Sequence, residues 1–345
     1  MRSKLIITVL FILVLVVTAV AGEKRSGMVT VKFDFNAQAD SNSVRLWMPY
    51  PVSGENQVIR DVKVEGNNDD SAVYLEPESG AFYLYADWSK KSSARHLEMR
   101  FHVTGTEIRH SELKDSGEPV PPFIQQYLAS NYWVPTDGKV LEISSKITKG
   151  KKGILEKSRA VYEWVVANTY RDTSIKGCGL GDVEVTLAKR GGKCADISSV
   201  YVALARAAGV PARDVFGVRV GDKPEKDITN GFHCWAEFYL PGTGWVPVDP
   251  ADVRKVMLKK DLDLKAARPV IDYYFGSIDS DHIALSRSER GVTFIPSQEE
   301  APLSYFMYPY AEADGKALDY FDPKAFGYAL SFKADSEKVT KNIRQ

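Results

Sequence analysis

The chain has 345 residues, 44% of them hydrophobic and 26% charged, enough for two domains and a sizeable core. Lysine plus arginine equals aspartate plus glutamate at 45 each, a balance that argues against a nucleic-acid binder.

The first twenty-one residues have a pattern of their own. Arg2 and Lys4 precede an apolar run from Leu5 to Val17, and Ala19-Val20-Ala21 comes next. This basic, apolar, small-residue order is that of a secretory signal peptide. The run is shorter than the roughly 20 apolar residues a spanning helix needs, so cleavage is expected over anchoring. The protein is therefore expected to be exported, periplasmic or extracellular, touching the membrane only through this segment if it stays uncleaved. With no cysteine at the cleavage region, a lipid anchor is not expected.

Residues 23–114 read as a β-rich domain. Val29 to Phe35, Val44 to Met48, Ala81 to Tyr85 and His96 to Val103 alternate apolar and polar positions. Turn-forming clusters lie at 40–43, 66–70 and 89–93. An antiparallel sandwich-like arrangement is the simplest reading. His96, His102 and His110 fall within it at spacings that match no zinc template, so they are expected to be ordinary strand or surface residues. Prolines and charges over 115–122 mark a junction.

A second region is expected over 123–255. Phe123 to Leu128 reads as a short helix. Ile154 to Tyr170 reads as a longer one, packed beneath a helix that begins at Cys194. Lys176 to Gly181 is glycine-rich but lacks the spacing of a phosphate loop, so it is expected to be a flexible loop bordering a site. Then comes Gly191-Gly192-Lys193-Cys194, with Ile197, Val200, Tyr201, Leu204 and Ala208 beyond it at helical spacing. Gly209 and Pro211 end that helix. Cys194 thus stands at a helix entrance, where backbone N–H groups lack partners and the dipole favours thiolate. Asp196, in the first turn, is expected to cap or to answer the dipole, not to move protons.

Further on, Phe232 to Leu240 reads as a strand and Gly244 to Asp249 as its hairpin partner. Alternation puts His233, Trp235, Glu237 and Tyr239 on one face and predicts that Cys234 points away from Cys194. Two registers are open. One sets His233 opposite Asp249, and a tighter turn brings Asp252 level with it. In either, a carboxylate can hold the imidazole and the imidazole can take the thiol proton, the logic of nucleophile, base and orienting group. Arg213 is expected to form a structural ion pair. Trp235 and Trp245 are equally readable as flanking the site or as core.

The blocks Gly191 to Cys194, Ala205 to Arg213, His233 to Trp235 and Trp245 to Pro250 resemble the transglutaminase-like superfamily, a variant of the papain-like cysteine fold. The resemblance spans about residues 125 to 255. It implies an α+β fold in which the cysteine helix packs on an antiparallel sheet. It also implies Cys194 as nucleophile, His233 as base and Asp249 as orienting carboxylate. The superfamily is associated with amide cross-linking, with peptide or amide hydrolysis, and with inactive members.

Residues 256–345 are expected to form a C-terminal extension with some β-structure and a charged tail. A final strand is expected at Phe326 to Phe332, and the aromatic stretch Tyr305 to Tyr310 is expected to pack on the core or line a groove. If Cys194 stays free, Cys178 and Cys234 are the remaining pair for a disulfide. The expectation is an exported thiol enzyme acting on amide bonds of a protein or peptide, through an acyl-enzyme. It needs no cofactor, and a metal site at Cys194, His233 and Asp249 is disfavoured for want of a fourth ligand. The alternative is an inactive binding or assembly module of the cell envelope.

Overall fold

The computed structural model describes residues 22–92 and 94–336. The signal segment expected over 1–21 lies outside the described residues, as do tail residues 337–345.

Two five-stranded antiparallel sheets form the β-rich part. The first runs in the order Glu225–Asp227, Tyr328–Ala334, Lys24–Asp34, His96–Thr106, Gln57–Gly66. The second runs Lys316–Ala317, Tyr310–Ala313, Val44–Pro49, Phe82–Trp88, Asp70–Leu75. Period-two alternation sends Val29, Val31 and Phe33 inward, where they share one apolar cluster with Leu46, Met48, Leu84, Met99 and Phe101. On the other side of the second sheet, Trp47, Tyr83 and Tyr85 pack with Phe294, Phe306 and Tyr310.

Both sheets recruit strands from far along the chain. Residues Gly27 to Phe33 pair with Ala334 to Tyr328, and Val44 to Trp47 pair with Ala313 to Tyr310. Even the polar loop after Arg219 adds a short edge strand, Glu225–Asp227. The expected final strand is present at Tyr328–Ala334, shifted two residues on.

The remaining sheet has four strands in the order Gly244–Val248, Phe232–Leu240, Ala212–Arg219, His282–Ser286. The Cys194 helix, Cys194–Ala207, packs against it and is buried from Cys194 to Arg206. Its sequence predicts one apolar face, yet all sides are covered. Small residues allow close approach, and its polar side chains are paired except for the Ser198 hydroxyl. Arg206 Nε donates to Ala212 O at 2.8 Å and Nη2 to Glu289 at 2.8 Å. Gly153–Asn168 lies alongside, as expected, with Ser158 Oγ 2.7 Å from Tyr201 OH. Gly138–Ile147 and Val183–Lys189 complete the helical layer. No helix among the described residues is long and apolar enough to cross a membrane.

Candidate active site

Cys194 is the first residue of its helix. The turn into it is built from Gly191-Gly192, which pairs in parallel with Tyr170-Arg171. Asp196 then ties the entrance together. One oxygen accepts from Lys193 N at 3.0 Å and the other from Gly181 N at 2.9 Å. This is the capping role expected for it. Burial raises its pKa, against the lowering effect of those backbone N–H groups. The glycine-rich loop borders the site as expected and is pinned there, since Ala195 N also donates to Cys178 O at 2.9 Å. Gly179, at φ +88°, passes so close to Asp196 that a Cβ would sit 1.9 Å from its Oδ2.

His233 lies near the start of its strand, buried with 4% of its surface exposed. Its Nε2 is 2.6 Å from Asp249 Oδ2. Hairpin pairing sets Leu240 opposite Gly244 and Ala236 opposite Val248. Continued, that register puts Asp249 level with Trp235, which is neither of the two registers open from sequence. Asp249 still reaches His233 because the strand ends at Val248 and the chain turns there into a helix, Pro250–Lys260. Asp249 is its N-cap, with Oδ1 accepting from Asp252 N at 2.8 Å. Asp followed by Pro at a helix start is a strong local signal. One carboxylate thus anchors a helix and holds an imidazole. Full burial on its own would raise the Asp249 pKa, but the charge and hydrogen bonds of His233, with those of His282, hold it well below the usual carboxylate range.

Behind Asp249 stands a group that sequence reasoning missed. His282 is wholly buried, its Nδ1 2.6 Å from Asp279 and its Nε2 3.5 Å from Asp249 Oδ2. Arg219 pairs with Asp252, Asp279 and Asp281, and Lys255 with Asp252 at 3.0 Å. Burial and the Arg219 charge lower the His282 pKa, but the hydrogen bond to Asp279 and the nearby carboxylates of Asp249 and Asp281 outweigh them and raise it to about 9. No signal marks His282 in the sequence, because its strand, His282–Ser286, is short and lies outside the four matching blocks.

His233, Asp249, Asp252 and His282 could present four metal-ligating atoms within 4.8 Å of one another. Those oxygens are committed, however. A dication there would have to displace Arg219 and Lys255 from Asp252 and break the contact between His233 and Asp249.

Cys194 and His233 line the same cleft, of about 430 Å³. The helix packs on the strand face that carries Cys234, Ala236 and Phe238, and His233 enters from the other face at the strand's beginning. That packing corrects the expectation for Cys234. Its buried thiol, pushed up in pKa by burial, sits beside Cys194 and Cys178. All three cysteines are unpaired, so the expected disulfide between Cys178 and Cys234 is not formed. Instead the Cys178 thiol donates to Phe232 O at 3.3 Å.

Trp235 stacks near His233, with centroids 6.2 Å apart, and lies edge-on to His282 at 5.2 Å. Trp245 lies away from the cleft, its ring 3.8 Å from the Arg213 guanidinium, which pairs with Glu237 at 2.6 Å. Of the two tryptophans, Trp235 shields the site, and Arg213 is the structural ion pair expected. In the aromatic stretch Tyr308 lines the cleft, while Phe306 packs against the second β-sheet and Tyr310 begins one of its strands.

A cysteine at a helix entrance, a histidine on an adjacent antiparallel strand and an aspartate at the end of the next define a papain-like arrangement. The profile of the transglutaminase-like superfamily matches residues 142–250. An uncharacterized protein of Haemophilus influenzae is 38% identical over 320 residues, covering 84% of this chain and 86% of that one. Among solved structures, a candidate cysteine protease from Cytophaga hutchinsonii superposes with a TM-score of 0.53 at 15% identity, covering 90% of this chain and 98% of that one. The periplasmic domain of TgpA from Pseudomonas aeruginosa gives a TM-score of 0.38 at 14% identity, covering 72% and 93%. The chain belongs to the transglutaminase-like superfamily, whose members include cysteine proteases and transglutaminases.

Proposed function

We propose that the protein is a thiol enzyme acting on amide bonds, with Cys194 as nucleophile, His233 as base and Asp249 as orienting carboxylate. The observation that carries this reading is the 2.6 Å contact between His233 and Asp249 beside a cleft that Cys194 also lines. With Nε2–H donating to Asp249, the ring's Nδ1 keeps its lone pair for the thiol proton. Sulfur attacks the amide carbonyl, and the oxyanion is met by the Cys194 N–H at the helix entrance. The imidazolium passes its proton to the departing amine, leaving a thioester. Water or a second amine then attacks, with His233 again as base, and the thiol is restored. Hydrolysis and cross-linking share every step except that acceptor.

An inactive binding module would call for a filled cleft or a histidine turned away from it. The open cleft and the imidazole held by Asp249 favour catalysis, while no hydrogen bond joins Cys194 Sγ to His233, so the thiol and the ring have to close up on each other for proton transfer. A thiol-directed electrophile should label Cys194 faster than Cys178 or Cys234, and Cys194→Ala should abolish turnover of peptide or glutaminyl substrates. Equal labelling of the three thiols contradicts the assignment.

The protein is further proposed to act outside the cytoplasmic membrane, periplasmic or extracellular, on the strength of the pattern in residues 1–21. N-terminal sequencing of the mature protein should begin at Gly22. A mature chain that retains Met1 would overturn cleavage.

A further inference from the structure

The whole chain is charge-balanced, but its cleft is not. Five lysine and arginine side chains line it, against the single carboxylate of Asp281. Arg219 and Lys255 are committed to the buried aspartates, and Asp281 is taken up by Arg219 at 2.8 Å. That leaves Arg171, Lys193 and Lys226, each half-buried and without an ion-pair partner among the described residues.

The Arg171 position is the most informative. Its backbone pairs with Gly192, two residues before Cys194. Its Nη1 is buried and has no hydrogen-bond partner among the described residues. A guanidinium left partly unsatisfied beside a nucleophile is costly unless something else pairs with it. Lys193 adjoins the nucleophile directly. Lys226 comes from the short edge strand Glu225–Asp227 on the first β-sheet and lines the same cleft. A concave cleft lined by one sign of charge concentrates ligands of the other sign. Tyr308 and Phe321, set edge-on at 5.2 Å, give the same cleft an apolar wall.

We propose that the site takes an acyl donor bearing a carboxylate near the reacting carbonyl, held by Arg171, Lys193 and Lys226. A peptide can supply that carboxylate from an acidic side chain or from its own free terminus. This rests on the reading of Cys194 as the reactive thiol, and the two can fail separately.

The test compares alkylation of Cys194 by iodoacetate and iodoacetamide, resolved by mass spectrometry and normalised to the same pair on glutathione. Iodoacetate should be favoured roughly tenfold at low salt, with the preference shrinking as salt rises. In R171Q/K226Q the iodoacetate-to-iodoacetamide ratio should fall about three- to tenfold. The salt dependence needs no variant, and K226Q alone alters only an edge-strand residue. Competition then separates the sources. Acetylated, amidated peptides with Glu or Gln, and the Gln peptide with a free C-terminus, are compared for protecting Cys194 from iodoacetamide. Protection at about tenfold lower concentration by the Glu peptide assigns a side-chain carboxylate, and by the free-terminus peptide a terminal one. Equal protection by all three, or a ratio unchanged in R171Q/K226Q, overturns the proposal. Slow, unselective iodoacetamide labelling would instead defeat the thiol assignment beneath it.

Discussion

Four buried or half-buried aspartates, Asp249, Asp252, Asp279 and Asp281, crowd behind His233, with Arg219 and Lys255 as the cations set against them among the described residues. His282 supplies the missing positive charge from the middle of that group, which is why its pKa rises to about 9 despite complete burial. A histidine raised in this way stabilises the fold fully below its ordinary value of 6.5, and that contribution is lost as pH climbs through about 9. It amounts to roughly 3 kcal/mol between the two limits. His282→Gln should therefore lower stability at neutral pH and flatten the decline above it, as read from urea midpoints at about pH 6.5 and 9.5. Parallel declines in wild type and variant would show that His282 is not the charged partner. His282 also backs the carboxylate that orients His233, so its influence on catalysis would run through Asp249 and not through substrate.

The elements that place the site are held by two buried arginines. Arg206 leaves the Cys194 helix to reach Glu289, and Arg290 donates to Asp214 at 2.8 Å beneath it. Together they clamp residues 289–290 onto the helix and its neighbouring strand. Arg290→Met leaves Asp214 as a buried carboxylate without its partner, which should cost about 3–5 kcal/mol in denaturant unfolding. Adding Asp214→Leu should restore a large part of that. A loss below about 1 kcal/mol would mean the clamp is not under load. The cysteine helix itself is legible in the sequence because glycines open it and Gly209-Val210-Pro211 closes it. Gly138–Ile147 and Val183–Lys189 are not, the first because it opens on a glycine with no capping side chain despite its amphipathic pattern, the second because it is only seven residues long. His233 and Asp249 are recoverable from hairpin chemistry, although the true register needs the helix cap at Asp249 to be seen. Cys234 escapes because alternation gives the face of a strand but not which face a helix will cover.

Across the whole molecule, the C-terminal extension does more than lengthen the core. It supplies one strand of the sheet that carries His233, strands of both β-sheets and the aromatic wall of the cleft. Lys176 in the glycine-rich loop pairs with Asp319 at 2.6 Å, which joins that wall to the loop carrying Cys178. The last strand and the aromatic stretch are legible in the sequence, but what they pair with is not, because pairing between residues as distant as Gly27 and Ala334 leaves no local pattern. His282 is invisible for the same reason, being a core histidine by composition and a site residue only by folding. The central claim is that sulfur, imidazole and carboxylate act as one unit across these distant segments. Intact-mass analysis of protein quenched during reaction with a peptide thioester tests it most directly. An acyl adduct should map to Cys194, be absent in Cys194→Ala, and form roughly 10³-fold or more slowly in His233→Asn, with Asp249→Asn also slowed by orders of magnitude. An adduct on Cys178 or Cys234, or one formed at the wild-type rate without His233, would contradict the account.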